Sequence, residues 1–156
     1  MRMWHYKMLP FLPQAQLLGQ WRECCAIAQQ WAEKDDIKHP LVKPAINYSP
    51  IEFWQYCVMV KDALEDRMIF VSPFTVAKLK DRLYLIQSHL SSIPREEFDA
   101  LISEIEDGKH LPKIFDKWHN KTYFDICYWN LYEKYLCGCV PEMEWFRFCE
   151  GGRLFI

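Results

Sequence analysis

The sequence predicts an all-α fold, a compact single-domain bundle of about five helices over residues 1–156. Apolar residues recur at spacings of three and four through most of the chain, which is the period of a helix with one buried face. Helix-start signals precede several of these runs, and the only strand candidate is "RMIFV" at 67–71. Five glycines and nine prolines supply too few turn signals for an all-β sandwich, while 51% hydrophobic residues suffice for a substantial core.

The first helix is expected from about Pro13 to Trp31, with Leu17, Trp21, Cys24, Ala28 and Trp31 on one stripe. Gln16, Gln20 and Glu23 share a second face, with Arg22 beside it. Residues 32–48 are polar at first and hold two prolines, so they read as a connection. Ser49-Pro50-Ile51-Glu52 combines a capping serine, a proline at the first helical position and a glutamate at the capping-box position. The helix it opens should run to about Asp66, with Phe53, Tyr56, Cys57, Val60 and Leu64 inward. Ser72-Pro73 opens a third, with Phe74, Ala77, Leu79, Leu83, Ile86 and Leu90 in its period. The fourth spans about Pro94 to Asp107 before Gly108, burying Phe98, Leu101, Ile102 and Ile105. The fifth spans about Asn120 to Leu136, with Gly138 as its C-cap.

Net charge is −2, so nucleic-acid binding would need a local basic patch, not a global field. Pro10 and Pro13 break "MLPFL", the only apolar stretch near the start, and no run of about 18 apolar residues follows. A membrane span is therefore not expected. The seven cysteines, with Cys24 and Cys25 adjacent, read as reduced thiols of a cytoplasmic protein.

Several clusters invite chemistry and are better explained otherwise. Glu96, Glu97, Asp99, Glu104, Glu106 and Asp107 have no histidine at ligand spacing and read as a solvated face. Cys137-Gly138-Cys139, with Cys149 and His119, has a one-residue gap where structural zinc sites use two to four. Cys24 and Cys25 have no assigned base and so make a poor nucleophile pair. No metal and no cofactor is expected. Lys109, Lys113, Lys117 and Lys121 recur every four residues, with His110 and His119 among them, and on one helical face they would meet phosphates. The aromatic run "YFDICYWNLYEKY" is mostly core, with one or two rings able to stack on an unpaired base.

The densest polar cluster is N-terminal: Arg2, His5, Lys7, Gln16, Gln20, Arg22 and Glu23 surround a well-patterned helix. The stretch "MRMWHYKMLPFLPQAQLLGQWRECCA" resembles the N-terminal signature of the pyrimidine-dimer DNA glycosylase family, whose best-known member is a phage repair enzyme. The shared features are an arginine beside the terminus and a first helix carrying Arg-Glu. "SPIEFWQYCVMVKDALEDR" occupies the place of the family's middle helix, and "HNKTYFDICYWNLYEKYLCG" is similar to its last. Particular likeness is to a bacterial branch whose chains begin Met-Arg-Leu-Trp-His.

The resemblance implies a compact helical monomer that acts on damaged double-stranded DNA, cutting a glycosidic bond and then nicking the strand. It implies a terminal α-amine as nucleophile, here that of Met1, and Glu23 as the residue that handles protons and stabilises positive charge at C1′. Arg2, Arg22 and Gln16 would contact DNA. His5, Lys7, Lys113, Lys117, His119 and Lys121 complete the expected DNA-binding set. An α-amine has a reference pKa of about 8, so a usable fraction is neutral near pH 7. The chain differs from the phage enzyme in two ways. That enzyme is clearly basic and loses its initiator methionine to expose threonine, whereas here the net charge is −2 and the bulk of Arg2 is expected to block removal of Met1. Lys7 is the alternative amine. The competing reading is a non-catalytic helical module that binds nucleic acid or protein.

Overall fold

A computed structural model describes residues 1–111 and 113–152. They form six α-helices and two short 3-10 turns, with no strand among the described residues. The helices are α1 (Gln14–Lys34), α2 (Pro50–Glu65), α3 (Pro73–Leu90), α4 (Arg95–Glu106), α5 (Lys121–Leu136) and α6 (Glu142–Gly152).

α2 is the central element. Ile51, Phe53, Trp54, Tyr56, Cys57, Val58, Val60, Ala63 and Leu64 are all buried, so it is apolar around most of its circumference, as a core helix must be. It packs against α1, α3 and α4, and α1 also packs on α3. Arg82 of α3 ties the latter pair, donating to the Cys25 carbonyl at 3.1 Å and to Gln29 Oε1 at 3.0 Å.

Local signals set most boundaries. Ser49 Oγ accepts the Glu52 N–H at 3.2 Å, and Asn120 Oδ1 accepts the Tyr123 N–H at 3.0 Å. The Glu52 carboxylate does not close a capping box, because it accepts the Phe115 N–H at 2.8 Å and pins the following loop instead. Gly138 sits at φ 73°, with Cys139 N–H donating to the Lys134 carbonyl and Gly138 N–H to that of Tyr135. That is the Schellman closure expected of a C-terminal glycine.

The structure corrects the sequence reading in three places. "RMIFV" is not a strand: Met68 adopts φ 60° and Ile69 N–H donates to the Leu64 carbonyl, a helix-ending turn. Arg67 in that turn donates to the carbonyls of Leu12 and Pro10 at 2.6 and 2.9 Å, anchoring the N-terminal segment. In α3, Phe74, Ala77 and Leu90 are exposed, and of the expected apolar stripe only Leu79, Leu83 and Ile86 are buried. The lysine repeat has no common helical face, because Gly108 ends α4 and the described residues up to Asn120 are irregular. Lys113 and Lys117 are exposed on that loop, and Lys121 starts α5.

The unexpected element is α6. Trp145 and Phe148 are buried against the aromatic face of α5, with Trp145 stacked on Tyr135 at a ring separation of 5.0 Å. Its Glu144 also serves a distant helix. α1 begins at Pro13 with no side-chain cap, and Glu144 Oε2 accepts the Gln14 N–H at 2.6 Å.

Candidate active site

The first eight residues run back along α1 and are fixed almost peptide by peptide. Arg2 N–H donates to Glu23 Oε2 at 2.9 Å, and Trp4 N–H donates to Gln20 Oε1 at 2.8 Å. The Trp4 carbonyl accepts from the Tyr56 hydroxyl at 2.7 Å, and the Met3 carbonyl accepts from Tyr123. Burial raises the pKa of both phenols, so both remain protonated donors. Met3, Trp4, Met8 and Leu9 are buried, so apolar contact adds to the polar anchoring.

His5 and His119 close the far end of this segment. His5 Nδ1 accepts the Lys7 N–H at 3.2 Å, which leaves its Nε2–H to donate to the His119 carbonyl at 2.8 Å. His119 Nδ1 accepts the Tyr6 N–H at 3.2 Å. Both rings are buried, in a cluster with Tyr6, Tyr56, Phe115 and Tyr123. Burial lowers the His5 pKa to about 4, with the His119 carbonyl opposing and Lys7 adding to the shift. Burial also lowers His119 to about 2, with His5 contributing. Both residues, expected from sequence to contact DNA, are buried where desolvation disfavours the charged imidazolium.

Held in this way, the Met1 amine lies 3.7 Å from Glu23 Oε1. The carboxylate thus faces the terminal amine with one oxygen and the next peptide N–H with the other. Both groups open onto a cleft of about 420 Å³. α1 supplies Ala15, Gln16, Gly19, Gln20 and Glu23, and the N-terminal segment supplies Met1, Arg2 and Trp4. The Arg2 guanidinium lies 5.9 Å from the Trp4 ring centre, within cation–π range. The remaining wall comes from His39, Leu41, Asn130 and Lys134.

Residues 1–73 match the model of the pyrimidine dimer DNA glycosylase family. No curated protein and no solved structure matches the chain. Of the cleft-lining residues, only Asn130 and Lys134 lie outside the span that matches the glycosylase family.

The cleft brings together Met1, Arg2, Gln16 and Glu23 of the residues expected from sequence. A second cavity, of about 350 Å³, gathers His5, Lys7, His119 and Lys121 with Asn120, Phe124 and Asp125. Arg22 joins neither lining; it is exposed, with Nε directed to the Leu18 carbonyl at 3.4 Å. Sequence reasoning did not single out Asn130 and Lys134, although their spacing of four on α5 marks one face. Gln20 carried a signal too, since it follows Gln16 by four and precedes Glu23 by three. Among the described residues, no group of three or more His, Cys, Asp and Glu is placed to hold a metal ion. None of their helices is long and apolar enough to cross a membrane.

Proposed function

We propose that the chain is a DNA-repair glycosylase with associated abasic-site lyase activity, using the Met1 α-amine as nucleophile. The observation that carries this reading is the placement of that amine 3.7 Å from Glu23 Oε1 in an open cleft. The neutral amine's lone pair attacks C1′ of the damaged nucleotide as the glycosidic bond breaks, and the base leaves with the bonding electrons and takes up a proton. Opening of the sugar ring gives an imine between Met1 N and C1′. The imine accepts electrons when a C2′ proton is removed, so the 3′ C–O bond breaks and phosphate departs by β-elimination. Water then hydrolyses the imine and frees the amine.

Glu23 serves this sequence in two ways. Its charge stabilises the positive character developing at C1′, and its Oε1, on the amine side, can carry protons between steps. Arg2 and Lys134, on the cleft wall, are suited to the flanking phosphates, and Gln16 to a contact beside the lesion. Lys7 and Lys121 at the second cavity, with Arg22, Lys113 and Lys117 on the surface, would meet the phosphate backbone farther out. Unstacking at the site costs a few kcal/mol, and least where the duplex is already damaged.

The test is reductive trapping. Borohydride should fix the chain covalently to abasic-site DNA, and peptide mass mapping should place the adduct on Met1. Failure of a chain with a free amino terminus to trap, or mapping of the adduct to Lys7, overturns the assignment of the nucleophile.

A further inference from the structure

Glu23 is engaged with the N-terminal segment through both oxygens, Oε2 with the Arg2 N–H at 2.9 Å and Oε1 with the Met1 amine at 3.7 Å. The wall completed by His39, Asn130 and Lys134 is chemically different, since no carboxylate joins it. Asn130 and Lys134 are one turn apart on α5, which Cys127 and Leu131 anchor in the core. His39 is fixed by its own loop. Its carbonyl accepts the N–H groups of Val42 and Lys43 at 3.1 and 2.9 Å, and Ile37 and Val42 on either side of it are buried. His39 Nδ1 accepts the Leu41 N–H at 3.3 Å, so the ring proton is on Nε2. Among the described residues, His39 Nε2, the Asn130 amide and the Lys134 ammonium have no hydrogen-bond or ion-pair partner. Lys43, Lys61, Lys80, Lys109 and Lys121, by contrast, each lie 2.9 to 3.4 Å from a carboxylate oxygen. A cation and N–H donors left open together in a cleft are the donor set for an anion.

We propose that this wall binds the phosphate expelled from the 3′ side of the sugar and stabilises it as it leaves. The assignment rests on the glycosylase-lyase reading and deepens it. In the imine held by Met1, Glu23 takes the C2′ proton and the C–H electron pair passes toward C1′. That pair then forms the C2′–C3′ double bond as the C3′–O bond breaks, and the C3′–O electrons leave on the phosphate oxygen. A singly charged phosphodiester thus becomes a phosphomonoester carrying about −1.5 to −2 at pH 7. Lys134, His39 and Asn130 meet charge that grows during this step, which is where fixed donors accelerate a reaction. Formation of the imine takes place at Met1 and Glu23 and does not use them.

The experiment has a binding arm and a kinetic arm. Binding compares gapped duplexes whose downstream strand begins with a 5′-phosphate or a 5′-hydroxyl. Wild type should prefer the phosphate by about tenfold, and Lys134→Gln should reduce that preference to about threefold or less. The kinetic arm compares borohydride trapping with single-turnover strand cleavage on an abasic duplex. Lys134→Gln and His39→Phe should each lower cleavage by about tenfold, and Asn130→Ala by less, with trapping within about twofold of wild type. Lys134→Arg should restore most of the cleavage. His39 and Lys134 are half-buried, outside the core, so these variants should keep the wild-type melt. A Lys134→Gln chain that cleaves at the wild-type rate overturns the proposal, as does one that loses trapping and cleavage in parallel. Wild type that traps and cleaves yet binds both ends equally also overturns it, leaving the glycosylase-lyase centre intact. Wild type that fails to trap on abasic DNA removes the underlying reading, and the wall's catalytic role with it.

Discussion

The Arg2 N–H and Glu23 Oε2 are hydrogen-bonded at 2.9 Å, so the acid on α1 is held by the peptide adjoining the terminal amine. This bond sets the amine's position more firmly than the 3.7 Å ion pair beside it, because a peptide N–H has a fixed direction. Glu23→Gln keeps an oxygen acceptor for Arg2 and removes the charge. Strand cleavage of abasic DNA should therefore fall by about 100-fold or more, with duplex affinity changed only a few-fold. Single-turnover cleavage and titration binding on the same duplex check this. Equal losses in both would assign Glu23 to binding.

Gln20 fixes the peptide two residues further on. Its Oε1 accepts the Trp4 N–H and its Nε2 points to Cys24 Sγ at 3.9 Å, all in buried surroundings. Gln20→Ala leaves a buried N–H without a partner, at about 1–3 kcal/mol in a denaturant melt. The borohydride adduct should form more slowly as well, because Met1 loses its anchor two peptides away. A destabilised variant that traps at the wild-type rate would show the N-terminal segment to be held by other contacts.

The His5–His119 pair predicts acid sensitivity. Both native pKa values lie below the ordinary 6.5, so between about pH 6.5 and 4 the unfolded chain binds protons that the folded chain refuses. Their contribution to stability is present above pH 6.5 and declines as pH falls through that window. Each imidazole contributes a slope of up to about 1.4 kcal/mol per pH unit. Urea midpoints at pH 7.5, 6 and 5 should fall in order, with the His5 and His119 ring resonances unchanged between pH 8 and 5.5. Imidazole resonances titrating near pH 6.5 would contradict the neutral assignment.

The C-terminal helix is coupled to the start of the chain. Glu144→Ala removes the acceptor for the Gln14 N–H and should cost about 0.5–2 kcal/mol, a typical loss for a helix cap. Gly151→Ala is a separate probe of the same docking. A Cβ there would run into the Phe11 ring, so the ring or the helix must shift, at about 1–3 kcal/mol. Thermal melts of the two variants measure both. An unchanged melt in Gly151→Ala would place α6 farther from Phe11.

Features encoded within a few residues were legible in the sequence. The caps at Ser49 and Gly138 act within one helical turn, and the buried stripes of α1, α2 and α4 follow from residues three and four apart. Arg2 and Glu23 also stood out, as part of a local signature. The lysine repeat failed because spacing has meaning only on a continuous helix, and Gly108 ends that helix first. His5 and His119 looked like cationic contacts because a polar residue's burial depends on what folds over it.

By itself, then, the sequence determined an all-helical chain, most of its helix boundaries and the N-terminal polar signature, since each rests on short-range backbone and side-chain geometry. Only the tertiary structure decided that Met1 meets Glu23, that Asn130 and Lys134 close the cleft from α5, and that Glu144 caps α1. Met1 and Glu23 are 22 positions apart and Gln14 and Glu144 are 130 apart, and burial of the shared core is what brings them together.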